Sequence, residues 1–177
     1  MYLSQYWQTY LKIIIYQKKL QVDEKLLKEI EKIKLDRYGK SKNNYMRLDD
    51  ETKQKGPFFF SYLEKFIQEI CAELNKKKFF IRTFWFQDYS ENSDKIDTHV
   101  HECGSINEFS FVFYIKCTEL SAPTIFHAPG YPYTTDEAIE IKPEQGLCVF
   151  FPGFLPHETM ANYDKTRFIM SGNIRFE

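Results

Sequence analysis

Downstream of Lys78 the sequence abandons helical periodicity and proceeds in short apolar runs, at residues 79–89, 108–117, 124–128, 138–141, 147–151 and 167–176. Turn signals separate them: Ala122-Pro123, Pro129-Gly130, Pro143-Glu144-Gln145-Gly146 and Pro152-Gly153. Segments this short are strands rather than helices, and many short strands joined by Pro/Gly turns bury their apolar residues as a jelly-roll barrel. Aromatic residues make up 18% of the 177 positions, mostly Phe and Tyr, which suits a strand-rich interior and excludes a disordered chain.

The first 78 residues read differently. Residues 9–16 are rich in β-branched and aromatic side chains and predict a first strand. Asp23 is placed to cap a helix whose Leu26, Leu27, Ile30 and Ile33 fall at helical spacing. Residues 38–56 are polar and predict a long loop. Pro57 then opens a second helix, with Phe60, Leu63, Phe66, Ile67, Ile70, Cys71 and Leu74 on one stripe. The expected architecture is mostly β with flanking helices, one domain over residues 1–177, in which 1–78 packs on a core formed by 79–177.

Charge is uneven: 17 basic against 11 acidic residues over 1–78, and 7 against 14 over 79–177. The basic part is mainly helical lysine, a solvated face, so nucleic acid is not the expected partner. Cys71, Cys103, Cys117 and Cys148 form no CxxC pair, which argues against a zinc knuckle or disulfide framework and for a reducing, cytoplasmic setting. The apolar stretch 11–16 is interrupted by Lys12 and is too short to span a membrane.

Three of the four histidines form a pattern, His99-Val100-His101 and His157, with Arg167 ten positions beyond. Side chains at i and i+2 of a strand share a face, so His99 and His101 can grip one metal ion, and His157 can close the site from a distant strand. Arg167 adds a fixed cation whose planar fork suits a carboxylate. His127, between Phe126 and Ala128, reads as an ordinary surface or hydrogen-bonded histidine rather than a ligand. On the last run, Arg167, Ser171 and Asn173 share one face with Ile169, while Phe168 and Met170 face away. On the run 108–117, Ser110, Val112 and Tyr114 oppose Phe109, Phe111 and Phe113. Buried hydroxyls on such a face need partners, and a bound carboxylate is one.

At these residues the sequence resembles the Fe(II)/2-oxoglutarate-dependent dioxygenase superfamily, in particular bacterial and phage-type members with an H-x-H...H...R pattern and the prolyl-hydroxylase-like enzymes. The resemblance rests on His99-Val100-His101, the strand 111–116, the turn and strand 143–153, and residues 157–173. It implies a double-stranded β-helix core and oxidative decarboxylation of 2-oxoglutarate coupled to substrate hydroxylation, with Fe(II) and dioxygen. Carried over by position, His99, His101 and His157 are the metal ligands, Arg167 pairs with the far carboxylate of 2-oxoglutarate, Tyr114 is its hydroxyl partner, and Ser110, Ser171 and Asn173 assist. Position 101 departs from the pattern, since most of the superfamily carries Asp or Glu there. The second ligand is therefore either His101 or, across a bulge, Glu102. Ile169 departs too, where many relatives carry a serine. Trp85 and Gln87 either line the cosubstrate pocket or complete the core. Two other readings stay open: a cupin-type three-His metalloenzyme without 2-oxoglutarate, and a non-catalytic jelly-roll binding module. The primary substrate and oligomeric state are not legible.

Overall fold

All six apolar runs downstream of Lys78 form strands. The computed structural model describes residues 13–33, 36–37, 44–47, 54–89, 95–101, 106–133, 135–164 and 166–177. In chain order the elements are β1 (Tyr16–Lys19), α1 (Glu24–Glu31), β2 (Asp36–Arg37), β3 (Asn44–Arg47), α2 (Gly56–Ser61), α3 (Glu64–Glu73), β4 (Phe79–Asp88), β5 (Ile96–His99), β6 (Glu108–Cys117), β7 (Thr124–His127), β8 (Ala138–Ile141), β9 (Leu147–Pro152), β10 (His157–Thr159) and β11 (Arg167–Phe176). A seven-stranded sheet in the order β1-β9-β6-β11-β4-β3-β2 stands with a four-stranded sheet in the order β5-β10-β7-β8, and the paired strands are antiparallel. This is a mostly β jelly roll with flanking helices.

The central strands of the large sheet are apolar on both faces because both faces are covered. Phe109, Phe111, Phe113 and Ile115 of β6, Cys148 and Phe150 of β9, and Phe168, Met170, Ile174 and Phe176 of β11 share one core with Leu26, Ile30, Phe59, Leu63, Phe66, Ile67 and Ile70 from the helical segments. The alternate residues Val112, Tyr114, Val149, Phe151 and Ile169 form a second core with Phe126, Ile141 and Leu155. Each fully buried Phe contributes about 1.5–3 kcal/mol. The facing of β6 and β11 expected from period-two alternation is the facing observed.

Asp23 caps α1 as expected, its Oδ1 accepting from Leu26 N at 2.8 Å. Three expectations for the first 78 residues need correction. The first strand is not 9–16: β1 starts at Tyr16 and pairs with Phe150 to Leu147 of β9, while Ile13 to Ile15 lie outside the strand and 9–12 lie outside the described residues. Continued pairing would bring β1 against Pro152, which has no N–H to offer. The second helix is interrupted, because Tyr62 and Leu63 make i→i−3 bonds to Phe59 and Phe60, a tightened turn between α2 and α3 that keeps the apolar stripe on the sheet. Within the expected loop 38–56, Asn44–Arg47 is a strand paired with β4. Its polar composition suits a strand toward the sheet edge. Residues 38–43 and 48–53 lie outside the described residues.

Gly172 sits mid-strand between β4 and β6, where a Cβ would stand 2.6 Å from Phe111 Cε1 and 2.6 Å from the Thr83 carbonyl oxygen. One obstacle is backbone and cannot swing away. Gly172→Ala is expected to destabilise the protein by about 3 kcal/mol through overpacking. Urea unfolding measures this, and an unchanged midpoint would contradict the close approach.

Candidate metal centre

The small sheet brings two of the three histidines together by register. His157 on β10 lies opposite His99 on β5, and on its other side opposite Phe126 of β7. Their ring centroids are 4.3 Å apart. His101 arrives by another route than the shared strand face expected from its spacing. β5 ends at His99, and His101 is held beyond that end by its backbone N–H, which donates to Gly153 O at 2.9 Å. One ring nitrogen from each of His99, His101 and His157 lies within 4.8 Å of the other two. His101 Nε2 and His157 Nε2 are 3.2 Å apart. Two imidazoles ligating one ion at about 2.1 Å and roughly 90–110° have nitrogens about 3.0–3.4 Å apart, so this spacing suits a shared ion. Glu102, the alternative to His101, lies outside the described residues, as does Cys103.

The tautomers favour ligation. His99 Nδ1 is 2.8 Å from Asp97 O and His157 Nδ1 is 2.9 Å from Leu155 O. With Nδ1–H donating to a carbonyl, the Nε2 lone pair of each ring is free for a cation. Trp85 stacks on His101 with centroids 5.6 Å apart, and Phe151 closes on the edges of His101 and His157. Burial, reinforced by His99, pushes His101 down to about 4 and His157 down to about 3, so both imidazoles are neutral at neutral pH.

Those shifts make stability depend on pH. Folded His157 stays neutral to about pH 3, whereas the unfolded residue takes up its proton near 6.5, so the unfolded state binds more protons between these values. The stabilisation is complete above about pH 6.5 and declines as pH falls. Metal-free protein is expected to lose roughly 2 kcal/mol at this residue between pH 7.5 and 5. Urea unfolding across that range, compared with the non-titrating His157→Gln, reads the difference. Parallel pH profiles for the two proteins would contradict a buried neutral imidazole.

Arg167 opens β11 and is fully buried. Its Nε donates to Ala122 O at 2.9 Å and one terminal nitrogen, Nη2, to Thr124 Oγ1 at 3.3 Å. The guanidinium carbon lies 4.3 Å from the Tyr89 ring centroid and 5.4 Å from that of Tyr114. The Tyr114 hydroxyl is 2.6 Å from Thr124 Oγ1. The other terminal nitrogen, Nη1, is buried and has no hydrogen-bond partner among the described residues. A buried orphan donor on a cation is costly, and an anion is its natural complement. Arg167 and the three histidines line one cavity with Trp85, Gln87, Thr124, Ile169 and Ser171. The cavity is narrow, about 30 Å³.

Other expected residues lie elsewhere. Ser110 donates to Asn173 Oδ1 at 2.8 Å, and Asn173 Nδ2 donates to Thr83 Oγ1 at 3.1 Å. Ser110 and Asn173 do not line the cavity, and neither does Tyr114, which stands behind Thr124. Asn173 is six residues along β11 from Arg167, about 20 Å at strand rise, too far to share a carboxylate with it. His127 faces the outer side of the small sheet, stacked on Tyr131 at 3.9 Å with Nε2 3.3 Å from Glu158 Oε1. Sequence reasoning missed Thr124, Tyr89 and the Ala122 carbonyl. They reach Arg167 from other strands and loops, and nothing in their local spacing announces it.

No protein-family model matches the sequence, and no curated protein matches it significantly. Solved structures do. The non-heme alpha-ketoglutarate-dependent epimerase SnoN from nogalamycin biosynthesis superposes with a TM-score of 0.69 at 12% identity, over 98% of this chain and 83% of that one. A prolyl-4-hydroxylase from Pseudomonas putida gives 0.58 at 14% identity, over 92% of each chain. The chain has the fold of the 2OG-Fe(II) oxygenases. A member of that oxygenase family from Burkholderia pseudomallei gives 0.50 at 16% identity, over 97% of this chain and 75% of that one. In this fold the three histidines and Arg167 of the present chain line one cavity. No helix among the described residues is long and apolar enough to cross a membrane.

Proposed function

We propose that the protein is an Fe(II)- and 2-oxoglutarate-dependent oxygenase that couples oxidative decarboxylation of the oxo acid to hydroxylation of a second substrate. One observation carries the reading: a buried guanidinium with an orphaned Nη1 lines the same cavity as a cluster of three histidines. That donor set fits ferrous iron, and the cation fits the far carboxylate of a diacid. Iron, when bound, supplies the coordination and redox chemistry that converts 2-oxoglutarate and dioxygen to succinate and carbon dioxide, with transfer of one oxygen atom to substrate.

In this reading His99, His101 and His157 hold the metal. Arg167 binds and orients the diacid through Nη1, and Thr124, which lines the cavity with it, is held in place by the Tyr114 hydroxyl. Tyr89 and Tyr114 face the guanidinium and keep it from turning, while Ile96, Val112 and Ile169 give the cavity an apolar lining. Ser171 lines the same cavity. With three imidazole ligands the site carries one negative charge fewer than a two-His-one-carboxylate set, so its hold on the metal is weaker. The narrow cavity favours a second reading, a three-His metalloenzyme that takes no diacid. Calorimetric titration of 2-oxoglutarate into Mn(II)-loaded protein, with succinate release in the Fe(II) enzyme, separates the two. Saturable binding and succinate are expected, and absence of both would leave the second reading.

A further inference from the structure

We propose that Asn162 is a positioning residue that sets the Arg167 guanidinium, and through it the length of acid the site accepts. The inference rests on the proposed function for its ligand, not for its geometry. Asn162 is fully buried in the segment between β10 and β11. Its Oδ1 accepts from Ala122 N at 2.9 Å, and its Nδ2 donates to Tyr89 O at 2.6 Å and to Asp164 O at 2.8 Å. Two of these three partners belong to the seat of Arg167. The Ala122 carbonyl accepts from Arg167 Nε, and the Tyr89 ring faces the guanidinium carbon. Tyr89 also donates its backbone N–H to Arg167 O at 2.8 Å.

One carboxamide therefore ties the end of β4 to the loop before β7, and Arg167 is clasped by both. Both N–H groups and the oxygen are engaged, and no other residue type of that size offers two donors and an acceptor in one plane. Without it, Ala122 and Tyr89 are free to part, and the guanidinium loses the walls that fix its distance from the histidines. Asp164 secures the neighbouring turn by accepting from Thr118 Oγ1 at 2.6 Å and Ser121 Oγ at 2.9 Å, so the segment does not collapse when the carboxamide is lost.

The test uses the full chain as Asn162→Ala and as Asn162→Asp, which keeps the acceptor for Ala122 N–H if the alanine variant does not fold. The first readout needs no cosubstrate: hydrogen exchange at Arg167 Nε–H, followed by arginine-selective ¹⁵N NMR, is expected to accelerate at least about tenfold as the bond to Ala122 O loosens. The second is calorimetric affinity of the Mn(II)-loaded protein for 2-oxoglutarate against its six-carbon homologue. The preference for one length is expected to shrink at least about fivefold, with Mn(II) affinity within twofold of the parent. Unchanged exchange, or unchanged discrimination with intact cosubstrate binding, would overturn the proposal, as would metal affinity falling in step, which marks general damage. Accelerated exchange in a protein whose parent binds neither acid would leave Asn162 as the positioning residue and remove the cosubstrate reading instead.

Discussion

His157→Ala is expected to abolish metal binding at micromolar concentrations, a larger loss than the roughly 10–100-fold that follows removal of an outer partner of a metal ligand. His157 is the central member of the trio: its Nε2 is 3.2 Å from that of His101, its ring centroid 4.3 Å from that of His99, and its Nδ1 is engaged by Leu155 O. The remaining two histidines are held by different segments, and without the third nitrogen they form a two-ligand site with no carboxylate among the described residues to complete it. Mn(II) titration followed by electron paramagnetic resonance reads the loss directly. His127→Ala is the control. Its ring lies on the outer face of the small sheet against Tyr131, so metal affinity is expected to stay within about twofold. Equal losses in the two variants would show that the wrong third histidine has been assigned.

Arg167→Met is expected to weaken 2-oxoglutarate binding by roughly 10² to 10³-fold, as removal of one partner of a buried, hydrogen-bonded charge pair does. Methionine keeps an unbranched side chain in the seat between Tyr89 and Tyr114 and removes the charge. Mn(II) affinity is expected to hold, because no atom of Arg167 belongs to the histidine group. The melting temperature of the protein without cosubstrate is expected to stay level or rise, since a buried cation with an orphaned Nη1 is removed. Succinate formation falls with the binding. Unaltered succinate rates would take the carboxylate from Arg167 and favour a three-His enzyme that uses no diacid. Arg167→Lys is no rescue: one ammonium cannot serve Ala122 O, Thr124 Oγ1 and a ligand in the planar arrangement the guanidinium spans.

Legibility followed signal strength. β6, β9 and β11 were readable nearly to the residue because both faces of the large sheet are covered along them and the strands are correspondingly apolar. β5 and β10, which carry His99 and His157, are four and three residues long and mostly polar, so no hydrophobic period marks them as strands. The interruption at Tyr62 and Leu63 was hidden for the opposite reason, since the apolar stripe runs on unbroken across it.

The sequence by itself determined the jelly-roll class, the alternation that aims Arg167 and Tyr114 inward, and the identity of the three histidines, because each is a matter of residue type and local period. Tertiary structure alone decided how these parts meet. His101 joins the site from beyond a strand end through Gly153 O, and Arg167 is seated by Ala122, Thr124 and Tyr89, which the chain brings from two separate segments. Ser110 and Asn173, which share a sheet face with the site, are carried away from it by strand rise alone. Local pattern reports which face a side chain takes. The distance along that face, and the partner waiting there, come from strands that lie far apart in the chain.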